Sequence, residues 1–86
     1  MFMSGMLHYS LGYYHVAAMS LSSRQLIEDA ASNYYLSLCY HHLEDQEEQA
    51  QARAASSMID AIKLGAIVSA ETVKMVGLDP AVHRSY

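Results

Sequence analysis

Positive charge is scarce in this chain. Five Lys and Arg stand against nine Asp and Glu, for a formal charge of −4. The five (Arg24, Arg53, Lys63, Lys74 and Arg84) occur singly, so no basic stripe can track a phosphate backbone or hold an anionic membrane surface. Nucleic acid is therefore an unexpected partner. Cysteine occurs once, at Cys39, which rules out an internal disulfide and leaves no sign of an oxidising compartment. No segment approaches the ~18–20 continuous apolar residues that a membrane span requires. The N-terminal stretch holds Phe2, Met3, Met6 and Leu7, but His8, Tyr9, Ser10 and Gly12 interrupt it and no basic region precedes it. A signal peptide is not expected. Also missing are a Gly-rich phosphate loop, a Ser-His-Asp arrangement and any alternating strand pattern. What remains is a soluble, cytoplasmic, all-α protein with no enzymatic activity and no cofactor.

Eighty-six residues suit one domain, 1–86. The apolar fraction is 52%, but twelve of those residues are Ala and seven are Tyr. Large aliphatic side chains are correspondingly few. A chain of this size buries only about 60–65% of its unfolded surface. Seven tyrosines and six methionines exceed what such a core can enclose, which favours a protein partner or a homo-oligomer.

In chain order, Met3, Leu7, Leu11, Tyr14, Ala18 and Leu21 recur at spacings of four and three, one stripe of an amphipathic helix over about 3–21. Gly12 inside it marks either a weak point or close approach to a neighbouring helix. Ser22 and Ser23 with Gln25 form a possible capping box. The rhythm then resumes at Ile27, Ala31, Tyr34 and Leu38, giving a second helix over about 24–43. From Tyr34 to Tyr40 nearly every residue is apolar or aromatic, the mark of a central, buried helix. Glu44, Asp45, Glu47 and Glu48 oppose a helix dipole at a C-terminus and favour one at an N-terminus. Asp45 and Glu48 also have capping-box spacing. The chain is therefore broken near 43–45, and a third helix runs over about 46–64 with Ala52, Ala55, Ile59, Ile62 and Ala66 as its seam. The rival is one helix from 24 to 64, because no Gly or Pro intervenes. Gly65 caps the third helix, Ser69 opens a short one over about 70–76, and Gly77 closes it. Asp79-Pro80 begins one last turn. The expected fold is a small bundle of three main helices plus a short C-terminal one.

Two resemblances attach to these segments. Leu38-Cys39-Tyr40-His41-His42-Leu43-Glu44-Asp45-Gln46-Glu47-Glu48, within 34–58, resembles the helix-to-helix passage of a tetratricopeptide (TPR) repeat, with Glu44 in place of the turn glycine. Ser10–Val16 and Ser37–Leu43 echo one another at an offset of 27 residues, against 34 in that family. The resemblance implies peptide or helix binding and a chaperone-like role. The stretch 61–76 resembles a bacterial helix-turn-helix, with Ala61, Gly65, Ser69, Thr72 and Val73 across the turn, and implies a DNA-binding regulator acting through 61–77. Lys74 is its sole basic contact, and the turn is two residues long for that family. The wording from Gly65 to Pro80 is also similar to the tails of some phage portal proteins.

For chemistry, His41 and Asp45 share a helical face at i and i+4 and could hold a metal ion, supported by His42, Glu44 and Glu48. A third ligand would have to come from His8 or His15. A simple hairpin about residue 22 sets His15 beside Glu28 or Asp29 and His41 beside Met3, so the histidines do not converge. Cys39 lies among Leu36, Leu38, Tyr40 and Leu43, an apolar setting that suits packing rather than nucleophilic attack. The expected function is partner binding or self-association through a Tyr/Met-rich surface comprising Tyr34, Tyr35, Leu38, Tyr40, Tyr13, Tyr14 and Met6.

Overall fold

The first expected helix is two helices. A computed structural model describes residues 2–81, with α1 at Phe2–Ser10 and α2 at Tyr14–Leu21. Gly12 separates them with φ of 81°, a left-handed conformation that costs a glycine little. The Tyr13 N–H donates to the His8 carbonyl at 2.9 Å and the Gly12 N–H to the Tyr9 carbonyl at 3.0 Å, which is a Schellman cap. No atom lies within 4 Å of where a Gly12 Cβ would stand, so the residue serves as a cap and not as a packing contact.

Close approach belongs to Gly5. A Cβ built there would meet Cδ2 and Cγ of Leu21 at 2.8 Å. Gly5 is thus the point where α1 lies against the end of α2, and the two helices fold back on one another.

The second expected helix also starts late. A single 3-10 turn covers Arg24–Leu26 and α3 runs Ala30–His42. The Ser22 hydroxyl donates to the Met19 carbonyl and Ser23 makes no side-chain cap, so the Ser-Ser-x-Gln box is not formed. Asp29 caps α3 instead. Its carboxylate accepts the Ser32 N–H at 2.9 Å and the Ser32 hydroxyl at 2.6 Å. The Asn33 amide donates to the carbonyls of Ile27 and Asp29, fixing the direction in which the chain enters the helix.

Asp29→Ala should cost about 1 kcal/mol of stability. Hydrogen bonds from the Ser32 side chain and then its backbone hold the Asp29 carboxyl below its ordinary value. A depressed acid contributes stability above its unfolded pKa and loses it as pH falls through the folded one. In urea titrations, the gap between wild type and variant should therefore be widest near neutrality and close in strong acid.

The chain does break at Leu43, which is the C-cap of α3. Residues 43–49 form turns, and α4 begins only at Ala50 and runs to Lys63. The carboxylates of 44–48 lie in the connection, and Gln49 rather than Asp45 is the N-cap, with no side-chain bond. The inward face of α4 is Ala50, Ala54, Ser57, Met58 and Ala61, while Ala52 is exposed. The expected seam was one or two residues out of phase. After Gly65 an extended stretch leads to α5 at Ala70–Met75. Ser69 caps α5 by accepting the Thr72 N–H, as its sequence predicts. Asp79 accepts the Ala81 N–H at 2.9 Å in a turn; the rest of the expected last turn and Arg84 lie outside the described residues.

α3 is the central element. On one side Leu36 and Cys39 meet Ala17, Ala18 and Leu21 of α2, with Phe2, Tyr9, Tyr14 and Tyr35 around them. On the other, Tyr34 and Tyr40 pack on Ala54, Met58 and Val76. The α3–α4 contact is the most extensive between helices, and it is built on small, partly polar residues. The buried Ser37 hydroxyl donates to the Ala54 carbonyl at 2.6 Å, and Ala50 and Ala54 are fully buried. The described residues contain helices and no strands, so the all-α class holds. None of their helices is long and apolar enough to cross a membrane.

Candidate functional site

The aromatic residues of α1, α2 and α3 stack on one another. Tyr9 meets Tyr14 and Tyr35 edge-on, each at 5.6 Å between ring centres. Phe2 reaches Tyr35 at 6.3 Å, and Tyr34 meets Tyr35 at 5.1 Å. Tyr14 lies flat on His42 at 4.1 Å and 8°. The Arg53 guanidinium sits 5.7 Å from the Tyr40 ring centre. Most of the tyrosines expected to face a partner are thus engaged within the chain. Tyr14, Tyr34, Tyr35, Leu38 and Tyr40 are half-buried, as is Met6, and Tyr13 alone of the expected set is exposed. Tyr34 and Tyr35 do keep one open side. With Ala30, Ala31, Ala66 and Ile67 they line a shallow cavity of about 320 Å³.

Two of the histidines, His15 and His41, each meet a single carboxylate. His41 Nδ1 is 3.3 Å from Glu44, whereas Asp45 is exposed in the following turn, so the i, i+4 pairing expected for a metal is replaced by an i, i+3 contact. His15 Nδ1 is 2.6 Å from Glu47 and not beside Glu28 or Asp29. The reason is the connection between the two helices: residues 22–29 separate α2 from α3, so the pair folds back about a point beyond residue 22 and the start of α2 faces the end of α3, as the Tyr14–His42 stack shows. Among the described residues no three His, Cys, Asp or Glu side chains gather around one point.

Cys39 is fully buried, and burial pushes its thiol up from 9.0 to about 11. A thiol that resists ionisation is a poor nucleophile at neutral pH. It should react with an aromatic disulfide reagent only as fast as the protein opens, and the rate should climb steeply across the urea transition. Immediate reaction in native buffer would contradict this placement.

The residues left most open are different ones. Met3, Leu7 and Leu11 are 85%, 60% and 57% exposed, and Ile67 is fully so. Met3, Leu7 and Leu11 belong to the stripe that the sequence places in the core. With a cap at Gly12 the stripe is cut. Tyr14, Ala18 and Leu21 point inward from α2, while α1 turns Gly5, Tyr9 and Phe2 inward and Met3 and Leu7 outward. Reading Gly12 as a helix terminator would have shown the change of phase. Comparison with models of known families, with curated protein sequences and with solved structures finds no match for this chain.

Proposed function

We propose that the protein is a helical interaction module that binds another protein through apolar surface and favours association with itself. One observation carries the reading: large apolar side chains stand open to water, with Met3, Leu7, Leu11, Tyr13, Met19, Ile27 and Ile67 each more than half exposed. Isolated exposed apolar residues are ordinary, but contiguous ones mark binding sites, and Met3 and Leu7 follow one another along α1, with Leu11 just past its end. The chemistry of the interior supports binding over catalysis, since Cys39 is buried with its thiol neutral and His15 and His41 pair with separate carboxylates.

Sedimentation velocity over a wide concentration range, with capture of partners on immobilised protein, tests the proposal. Concentration-dependent association or a saturable protein partner is the expected result. A chain that stays monomeric and captures nothing in saturable amounts would overturn it.

A further inference from the structure

Three features of α1 act together. Its outward residues Met3, Met6, Leu7 and Ser10, with Ser4 beside them, line one continuous surface; the first four recur at spacings of three and four, the pattern of a helix seam. Two polar side chains of this helix are tied back to its own backbone. The Ser10 hydroxyl donates to the Met6 carbonyl at 3.0 Å, and His8 Nδ1 donates to the Ser4 carbonyl at 2.8 Å. Covering this face therefore leaves those two groups hydrogen-bonded. Finally, residues 1–23 contain no Asp, Glu, Lys or Arg; the first such residue is Arg24, and all nine acids follow it.

That charge distribution selects the occupant. A partner that recognises by charge finds nothing on α1 to pair with. A second copy of this chain finds a surface as neutral as its own. In a chain of net charge −4, joining neutral segment to neutral segment leaves the carboxylate-bearing parts of the two copies outside the contact, and like-charge repulsion is low. A twofold contact also requires a patch that complements itself, which a flat strip of Met and Leu does. We infer that α1 pairs side by side with α1 of a second copy, antiparallel about a twofold axis that passes near Met6 and Leu7. Antiparallel pairing sets each helix N-terminus against the partner's C-terminus, where the dipoles attract. The inference rests on the binding reading above and names its partner and face.

A strip of a few side chains on one nine-residue helix falls well short of the ~800 Å² per partner of a standard interface. The dimer is accordingly weak and fast-exchanging, and is populated at high protein concentration.

The test uses the intact chain and two kinds of variant. Leu7→Glu and Met3→Glu each place a carboxylate on an exposed position, and circular dichroism and thermal melts check that each stays folded. In light scattering at several concentrations, the wild-type mass should rise from 9.5 kDa toward twice that value, with a Kd at least ~10-fold weaker in either variant. Leu7→Cys should form an interchain disulfide under mild oxidation, while Ile67→Cys should not; the native Cys39 is buried and does not compete. If the wild type dimerises but Leu7→Glu dimerises equally and Leu7→Cys fails to cross-link, the α1 pairing is overturned while self-association stands through another face. A wild type that remains monomeric at millimolar concentration overturns the pairing outright, and the binding reading then depends on captured partners alone.

Discussion

Met58→Ala should unfold this protein at a markedly lower urea concentration than wild type, with a loss of about 2–5 kcal/mol. Met58 is fully buried where α4 meets Val76, just after α5, and the Tyr34 and Tyr40 rings of α3. Truncation removes the apolar contact and leaves a void that Ala54, already the smallest side chain able to line it, cannot fill. A chain of 86 residues has about 4–13 kcal/mol of total stability at ordinary values per residue. One side chain thus carries a large fraction of it. The denaturant slope should stay unchanged, because the surface exposed on unfolding is nearly the same. Met75→Ala, at a position 45% exposed, should shift stability by no more than about 0.5 kcal/mol. Equal effects at the two methionines would contradict the packing.

The second large effect concerns Leu21 and Gly5, and its sign depends on background. Leu21→Ala, at a side chain 1% exposed, should cost about 2–5 kcal/mol. Gly5→Ala in the native background gains about 1 kcal/mol of helix propensity but drives a methyl group to 2.8 Å from Leu21. Leu21 is enclosed and cannot retreat, so overpacking of about 1–3 kcal/mol should win and the variant should be destabilised. Once Leu21 is Ala the obstruction is gone, and the same Gly5→Ala change should become stabilising. A four-member cycle of chemical denaturation curves measures the coupling directly. Additive effects would mean that α1 and α2 do not meet at this point.

Different parts of the fold differed in how far their sequence revealed them. The central position of α3 was legible because Tyr34 to Tyr40 leaves no polar face. Ser69 and Gly65 were legible because caps are local chemistry, decided within four residues. The separation of α3 from α4 was legible from the unfavourable placement of carboxylates at a helix C-terminus. The division of the first helix was not, because the apolar spacing passes through Gly12 unchanged, and periodicity alone cannot distinguish a continuous stripe from two helices out of phase. The late start of α3 was hidden for a related reason: Ser22 and Ser23 offered a cap earlier than Asp29, and Ile27 continued the stripe although it is 65% exposed. The buried face of α3 was missed by its chemistry. Ser32, Asn33 and Ser37 are inside because each finds a hydrogen-bond partner within reach, and that depends on the backbone they meet. The candidate surface followed the fold. Tyrosines expected to await a partner are largely occupied by each other, and the open apolar strip lies on α1.

The order in which the helices pack has a kinetic consequence. α1 lies on α2, α2 on α3 and α3 on α4, so the main contacts join elements adjacent along the chain. The loops that must close are short: residues 11–13, 22–29 and 43–49. Each closure costs little entropy before packing repays it. Helical proteins built from such sequence-local contacts fold in microseconds to milliseconds. Stopped-flow or temperature-jump relaxation should find this chain among the fast folders, with each hairpin able to form before the whole is assembled.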